Sequence, residues 1–268
     1  MKKEKITILL IGIFILITAM SGVIFPEANT VNTTNKLSAP SLSYLFGTDQ
    51  FGRDVFLRTM HGFRYTFLLS VFVVVISFPL GIVLGTILGY YGGFWDELFY
   101  QFSNVILSFP TIVLAMLITA LTNANMFFLL LLIIVSLVVT NTKIVRGEIK
   151  IIKNADYIKN LRVLGASDFA IIKNHLFAKS CKVIMPTFAL LIGHVILSIS
   201  TFSFMGFGIK PPQPEIGTML NESVRFMSNA PWLMILPGLF QFFAIFLILI
   251  LANNVKKLFV NQGGAKYE

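Results

Sequence analysis

The stretch that decides the fold of this chain is DYIKNLRVLGASDFAIIKNHLFAK, residues 156–179, a basic segment with a glycine at its middle. Apolar runs precede and follow it, so we expect the chain to leave a membrane before this segment and to re-enter it afterwards. Nine Lys and Arg residues lie between positions 143 and 182. That enrichment is typical of a loop on the cytoplasmic side of a membrane. Residues 143–182 are called the basic loop below.

The composition of the whole chain is that of an integral membrane protein. Of its 268 residues, 56% are hydrophobic and only 12% are charged, and the mean hydropathy is +0.83. Soluble chains have about 25% charged residues, so a soluble globular domain is excluded. The net charge of +9 comes from short loops beside apolar runs. This placement favours a membrane surface and argues against nucleic acid as a partner.

Cysteine and histidine are too sparse to suggest a metal centre. The single cysteine, Cys181, excludes an internal disulfide and a thiolate metal cluster. The three histidines, His61, His175 and His194, are far apart and form no ligand pair at helical spacing. No metal-ligating residue is therefore assigned from the sequence.

Six apolar stretches are long enough to cross a membrane, and the loops between them are short. They cover residues 6–25, 65–91, 98–121, 126–142, 183–207 and 232–252. We interpret the first as an uncleaved helix, because a signal peptide has a shorter apolar core and a small-residue cleavage site. A signal peptide is the alternative.

The Lys and Arg residues predict the orientation of the six helices. Of the 21 in the chain, 15 fall on the side of the N-terminus and 6 on the opposite side, which predicts that both termini are cytoplasmic. The expected fold class is an all-α integral membrane protein with six transmembrane helices. Its parts are an N-terminal helix with an extracellular segment (1–62), a transmembrane domain with a five-helix core (63–257) and a cytoplasmic tail (258–268).

Two local patterns predict features of the spans and of their flanks. Gly81, Gly85 and Gly89 recur every fourth residue, which places them on one helix face that a neighbouring backbone can approach closely. The stretch LFGTDQFGRDVFLR (residues 45–58) predicts a tight surface turn followed by an amphipathic helix. We expect ion pairs among Asp49, Arg53 and Asp54 to hold this turn, which is called the polar turn below.

The spans carry no chemistry that would drive transport by themselves. None has a Lys, Arg, Asp or Glu near its centre, whereas a coupled carrier needs an ionisable group in the membrane. The chain also lacks a G-x-x-x-x-G-K-[ST] sequence, so we expect it not to hydrolyse nucleotide and not to be an enzyme. A pore of this kind is either passive or driven by an attached partner, and the basic loop is the natural attachment point.

The basic loop has the pattern of two short helices joined by a turn. Residues 155–163 and 168–179 are predicted to be helical, and Gly165-Ala166-Ser167 separates them. The glycine permits a sharp turn, and Ser167 with Asp168 provides an N-cap. Such a turn either enters a groove of a partner or lies on anionic lipid as an interfacial basic segment. The residues alone leave both interpretations open.

Five stretches of the chain occur in a characteristic order: LFGTDQFGRDVFLR, FPTIVLAM, RVLGASDFAIIKNHL, SFMGFGIKPPQPEIGTML and APWL. Together they resemble the inner-membrane permease subunit of the dipeptide/oligopeptide/nickel family of ABC importers. The resemblance covers residues 45–257 and implies a type I importer permease fold in a bacterial cell membrane. It also implies four partners: a second homologous permease in a heterodimer, two cytoplasmic ATPases that bind ATP and magnesium, and an extracellular solute-binding protein. No cofactor is expected in this chain itself.

The resemblance assigns roles to two sets of residues. In that family the cytoplasmic loop is a coupling helix that inserts into a cleft of the ATPase, which here corresponds to residues 157–170. The candidate coupling residues are Asp156, Tyr157, Lys159, Arg162, Leu164, Gly165, Ala166 and Ser167. The candidate extracellular motif consists of Gly47, Thr48, Asp49, Gly52, Arg53 and Asp54.

The basic loop departs from the usual pattern of the family at two places. Lys159-Asn160-Leu161 stands where Glu-Ala-Ala is usual, and Phe177-Ala178 stands where Leu-Pro is usual. The turn at Gly165 is expected to survive, but a contact made by that glutamate cannot. We interpret the departure as a sign of a dedicated ATPase partner.

The substrate is predicted from two positions in the fifth span. Peptide-type members carry a glutamate where this chain has Ile199, and Gly193-His194 resembles nickel-type members. An imidazole facing the pore could contact a metal in transit, which makes His194 a candidate for the translocation path; the alternative is a hydrogen bond from His194 to a neighbouring helix. The predicted substrate is nickel or another transition metal, as an ion or a metallophore chelate. The alternatives are di- or oligopeptides, then a passive channel or secondary carrier, and a membrane scaffold.

Overall fold

The computed structural model describes residues 12–14, 18, 20–24, 28–122 and 126–264. Most of the predicted first span and the predicted turn at 123–125 lie outside these residues. Within them the secondary structure is helical, apart from one isolated β-bridge between Thr48 and Asp54. The α-helices are α1 (Ser21–Ile24), α2 (Val55–Tyr91), α3 (Gly93–Ser108), α4 (Thr111–Thr122), α5 (Met126–Ile152), α6 (Asp156–Val163), α7 (Asp168–Ile171), α8 (Phe177–Ile184), α9 (Phe188–Phe204), α10 (Ile216–Ser223) and α11 (Trp232–Gly264).

Three of the described helices, α2, α5 and α11, are long and apolar enough to cross a membrane. Helices α3 and α4 meet the same test only together, and they are bent by 84° at their junction. Pro110 lies at this junction, where its ring and its missing N–H interrupt the helical hydrogen bonds. The third span predicted for residues 98–121 is therefore divided into two helices, and its crossing of the membrane stays a prediction. The bent pair is either a broken span or a re-entrant loop.

The predicted fifth span, residues 183–207, is also divided. Helix α8 ends at Ile184, a 3₁₀ turn covers Met185–Thr187, and only α9 continues as an apolar helix of 17 residues. The described residues thus contain three clear spans, or four when the bent pair counts as one. They establish an all-α membrane protein, whereas six helices and the orientation of the termini stay predictions.

The chain forms two compact units. Unit 1 consists of residues 1–71, 118–129 and 189–268, and unit 2 of residues 72–117 and 130–188. The polar turn belongs to unit 1, and the basic loop belongs to unit 2. The predicted domain division at positions 62 and 257 stays a prediction.

The core of unit 1 is made by one end of α2 together with α9, α10 and α11. The cluster contains Phe63, Ile196, Ile216, Ala244, Ile245 and Ile248, all of them buried. The rings of Phe63 and Phe240 meet edge to face with their centroids 5.7 Å apart, a favoured arrangement for aromatic pairs. Burial of these apolar side chains fixes α10, a helix of only eight residues, against the longer helices.

The glycine stripe of α2 organises unit 2 by packing directly on α5. A Cβ atom at Gly81 would lie 2.5 Å from the Cβ of Asn141. One at Gly85 would lie 2.9 Å from the carbonyl oxygen of Thr142, and one at Gly89 2.9 Å from that of Arg146. The sequence prediction of a close helix–helix approach is confirmed. Helix α2 also continues through Pro79, as membrane helices allow.

We expect Gly85→Val to destabilise the protein, because the added side chain would overlap with α5. Overpacking of this kind costs about 1–3 kcal/mol. Gly147 on α5 provides a matched control, since a Cβ atom there meets nothing within 4 Å. Thermal unfolding of the detergent-purified variants should show a lower midpoint for Gly85→Val than for Gly147→Val. Equal midpoints would contradict the packing described here.

Candidate functional site

The turn of the basic loop ends α6 by a regular C-cap. Gly165 has φ = +83°, a left-handed conformation that favours glycine. The N–H of Gly165 donates to the carbonyl of Arg162, and the N–H of Ala166 donates to the carbonyl of Leu161, both at 3.0 Å. These two bonds form a Schellman motif, which satisfies carbonyls at the end of the helix. The sharp turn predicted at this glycine is confirmed.

The residue after the turn begins the second helix as predicted. The hydroxyl of Ser167 accepts a hydrogen bond from the N–H of Ala170 at 3.3 Å, which makes Ser167 the N-cap of α7. The predicted helix over 168–179 is more complex in the structure. Helix α7 ends at Ile171, a π-helical turn covers Ile172–Leu176, and α8 follows. Such π turns occur often at functional sites.

One face of the basic loop is buried, and its turn is exposed. Ile158 of α6, Ile171 of α7 and Leu176 of the π turn are fully buried. Beside the turn, in contrast, Val163 is 86% and Leu164 81% exposed. A group of exposed apolar side chains outside the membrane spans marks an interaction site more often than a solvated surface.

Two residues of this exposed surface lie within the predicted coupling stretch 157–170 but were not among its named candidates. Val163 is the last residue of α6, and Phe169 is the second residue of α7, with its ring 71% exposed. An apolar residue on each side of a glycine turn within a basic segment is the signal that could have identified them. We call Val163, Leu164 and Phe169 the apolar tip.

The polar candidate residues of the loop lie beside the apolar tip. Asp156 and Lys159 form an exposed ion pair at 3.1 Å, and such pairs contribute little to stability. The ammonium of Lys179 lies 5.8 Å from the ring centroid of Tyr157. The second of these contacts connects α6 to α8. Neither covers the apolar tip, where the ammonium of Lys173 lies 5.9 Å from the centroid of the Phe169 ring and the ring stays 71% exposed.

The polar turn is held by one buried carboxylate. One oxygen of Asp49 accepts the N–H groups of Phe51 and Arg53, at 2.8 and 3.0 Å. The other lies 2.6 Å from Nε of Arg53 and 3.6 Å from Nε of Arg58. The Asp49–Arg53 pair is as predicted, and Arg58 is a third member that the sequence analysis missed.

Asp54 does not act as predicted. Its carboxylate accepts the N–H groups of Phe56 and Leu57, at 2.7 and 3.1 Å, so it caps the first turn of α2. Burial raises the pKa of Asp54 above its ordinary value, and the two N–H bonds oppose that shift. The ion pair expected for Asp54 is wrong, because the free N–H groups of the helix end take the carboxylate instead.

The remaining members of the predicted extracellular motif are used inside the turn as well. Gly52 has φ = +73°, and a Cβ atom there would lie 1.7 Å from the carbonyl oxygen of Asn32. Gly47 has φ = +72°. The Thr48 hydroxyl is fully buried, accepts the N–H of Ser38 at 2.9 Å and donates to the Asn35 carbonyl. The motif therefore builds the fold of the turn.

We expect Asp49→Asn to destabilise the protein strongly, because it removes the carboxylate that pairs with the buried Arg53 and Arg58. Removing one partner of a buried pair costs about 3–5 kcal/mol. Thermal unfolding would show the loss as a lower midpoint. Glu97→Gln is the control, since Glu97 is exposed and bonds only across one turn of its helix to Gln101. A control shift as large as that of Asp49→Asn would contradict the assignment.

The substrate-related positions lie on different faces of α9. Ile199 is fully buried, whereas His194 lies on the exposed face with Leu197 and Thr201. An open groove of about 560 Å³ begins on this face and is lined mainly by apolar side chains, including Phe242 of α11. Among the described residues, no group of three His, Cys, Asp or Glu side chains could hold a metal ion.

Comparisons with known proteins agree with this architecture. The dipeptide transport system permease protein DppC of Alkalihalophilus pseudofirmus is 32% identical over 259 residues, which cover 95% of this chain and 84% of the relative. The glutathione transport system permease protein GsiD of Pectobacterium atrosepticum is 31% identical, over 81% of this chain and 72% of the relative. GsiD of Escherichia coli O157:H7 is 31% identical over 87% and 77%.

The family model for the binding-protein-dependent transport system inner membrane component matches residues 81–260. That range includes the glycine stripe, the bent pair, the whole basic loop, α9, α10 and most of α11. The apolar helices and this match place the protein in the bacterial inner membrane as a multi-pass component. The chain therefore belongs to the family of inner-membrane permease components of binding-protein-dependent ABC importers.

Proposed function

We propose that this chain is one of two homologous permease subunits that form the pore of an ATP-driven peptide importer. The observation that carries the proposal is the apolar tip, Val163, Leu164 and Phe169, exposed at the turn of the basic loop. In a permease of this family, such a surface fits the cleft of a cytoplasmic ATPase. ATP and magnesium are bound by that partner, and this chain supplies the pore and the docking turn.

The candidate coupling residues fit this role by their placement. Gly165 and Ser167 fix the turn by backbone geometry and by capping, while Asp156, Lys159 and Arg162 provide a polar rim next to the apolar tip. An apolar centre with a polar rim is the usual anatomy of a protein–protein interface. The lysine at position 159 gives this rim a positive charge, which calls for an acidic counterpart on the ATPase.

The proposed topology places the basic loop and both termini in the cytoplasm, with six spans in total. Its support is the unequal distribution of Lys and Arg in the sequence, together with the three clear spans and the bent pair. On the opposite side, residues 28–62 and 208–231 would meet the solute-binding protein. Both segments lie in unit 1 and contribute to one pocket of about 450 Å³, lined by Phe51, Lys210 and Arg225 among others.

The proposed substrate is a short peptide, which replaces the metal favoured by the sequence analysis. Relatives that share about a third of their residues over most of the chain are named for dipeptide and glutathione transport. The nickel prediction has no support from these names. It depended on Gly193-His194 and on Ile199 in place of the glutamate of peptide-type members, and His194 lies on the exposed face of α9. A place for His194 on the translocation path stays a prediction.

Uptake measurements in cells with and without the gene test this substrate class. We expect loss of labelled dialanine or labelled glutathione uptake in the deleted strain, while uptake of radioactive nickel, with and without a chelator, stays unchanged. Re-expression of the chain should restore uptake, and re-expression of the Glu97→Gln chain should restore it equally. Loss of nickel uptake alone would overturn the peptide proposal and make His194 worth mutating.

A further inference from the structure

The end of α2 is tied to the basic loop by one tyrosine. Tyr90 is 5% exposed, and its hydroxyl donates a hydrogen bond to the carboxylate of Asp168, the first residue of α7. The guanidinium carbon of Arg162, in the last turn of α6, lies 5.3 Å from the centroid of the Tyr90 ring. A single side chain thus contacts both helices that flank the Gly165 turn. Tyr90, Arg162 and Asp168 are called the clasp.

A second contact on the same face of α2 supports the clasp. The hydroxyl groups of Thr86 and Ser180 lie 2.8 Å apart, and both are buried. Residues four apart on a helix share a face, so Thr86 and Tyr90 point to the same neighbour. The clasp joins α2 to α6 and α7, and the Thr86–Ser180 contact joins it to α8. Helix α2 is therefore attached to the loop on both sides of the π turn.

The backbone that connects the basic loop to the neighbouring long helices is interrupted on both sides. On one side, residues 153–155 interrupt the helix between α5 and α6. On the other side, the π turn at Ile172–Leu176 and the 3₁₀ turn at Met185–Thr187 separate the apolar tip from α9. Interruptions of this kind are where helical segments bend. The side-chain attachment, in contrast, reaches a continuous helix of 37 residues.

We propose that Tyr90 is a positioning residue for transport, which makes α2 move together with the docking turn when the ATPase pulls on it. The inference rests on the proposed function, because it requires an ATPase at the apolar tip. Arg162 then has two roles: its charge belongs to the rim of the docking surface, and its guanidinium face lies over Tyr90. Asp168 joins α7 to the hydroxyl of the same tyrosine. Without the phenol hydroxyl, the turn can move while α2 stays in place.

Spin labels on the two sides of the clasp test this proposal in the full complex of the chain with its partner permease and ATPases. The chain has one cysteine, so Cys181→Ser allows a nitroxide to be placed at Ile87→Cys on α2 or at Asn160→Cys on α6. Both positions are exposed. With ATP and vanadate, we expect both labels to change their spectra. In Tyr90→Phe, the loop label should respond as before, while the α2 label loses most of its response, because one hydrogen bond to a charged group changes an equilibrium constant about tenfold or more.

Matched variants separate the clasp from a general structural effect. Tyr91→Phe removes the same hydroxyl from the neighbouring side chain, which is 61% exposed, and should leave both responses unchanged. Asp168→Ala alters only the exposed end of the bond, so it is expected to fold, and should reproduce Tyr90→Phe. The double variant should be no worse than either single variant, since both remove the same bond.

The possible outcomes distinguish this inference from the proposed function. An α2 label that responds fully in both Tyr90→Phe and Asp168→Ala would overturn the clasp. A double variant whose α2 label responds less than in either single variant would overturn it as well. A loop label that ignores ATP in the unmodified chain would instead remove the ATPase from the apolar tip. In that case the proposed function fails, and the inference that depends on it fails with it.

Discussion

Gly165→Arg is expected to abolish uptake while the chain still inserts into the membrane. The backbone at Gly165 has φ = +83°, and a residue with a Cβ atom pays about 1–2 kcal/mol to adopt this left-handed conformation. A Cβ atom there meets nothing within 4 Å, so the fold itself has room for the side chain. The arginine would instead project from the turn next to Val163 and Leu164, where it blocks the surface that the ATPase needs.

Gly93→Arg is a close control for this variant. Gly93 also has a positive φ, +73°, and a Cβ atom there also meets nothing within 4 Å, but it lies at the start of α3, outside the basic loop. The two variants therefore share the backbone strain and the added charge. We expect the ATPase to co-purify with Gly93→Arg and to be lost from Gly165→Arg. Uptake should likewise be retained by Gly93→Arg and lost in Gly165→Arg. Normal uptake by Gly165→Arg would remove the coupling role from this turn.

Features that depend on neighbours in sequence could be predicted in advance. The spacing of Gly81, Gly85 and Gly89 was sufficient for the close packing on α5, because one helix face follows directly from a four-residue period. The turn at Gly165 and the cap at Ser167 are equally local, since each satisfies backbone groups within five residues. Such rules need no knowledge of the tertiary fold.

Features that depend on distant residues could not be predicted. The hydroxyl of Tyr90 bonds to a carboxylate 78 positions later in the chain, and Asp96 pairs with Arg146 and Lys150, which lie 50 and 54 positions later. Asp54 illustrates the same limit at short range. A carboxylate with arginines on both sides in sequence suggests ion pairs, but the free N–H groups of α2 were the competing partners. The choice between them depends on the three-dimensional turn.

The contacts of Glu215 also depend on the tertiary structure. Glu215 is the most deeply buried carboxylate that the structure describes. Its side chain is fully buried in unit 1. One oxygen accepts the hydroxyls of Thr66 on α2 and Ser200 on α9, at 3.1 and 3.0 Å. The other accepts the N–H of Thr218 at 2.9 Å, which makes Glu215 the N-cap of α10. One carboxylate therefore holds three helices together.

Glu215→Ala is expected to cause a large loss of stability. The helix cap contributes about 0.5–2 kcal/mol, and the buried Ser200 hydroxyl left without its acceptor costs about 1–3 kcal/mol more, whereas the Thr66 hydroxyl keeps the Gly62 carbonyl at 3.1 Å. These amounts are a large part of the total stability of a typical protein. The variant should aggregate on detergent extraction or unfold at a much lower temperature than the unmodified chain.

The reason that Glu215→Ala cannot be compensated lies in the surrounding backbone. A Cβ atom at Gly217 would lie 2.0 Å from the carbonyl oxygen of Ser200, and one at Gly62 would lie 3.0 Å from the Cα of Glu215. The three helices are thus already at contact distance, and they cannot shift to offer the Ser200 hydroxyl another partner. Glu97→Ala removes an exposed carboxylate and should leave the unfolding temperature unchanged. If Glu215→Ala were as stable as that control, the carboxylate would not be what joins these helices.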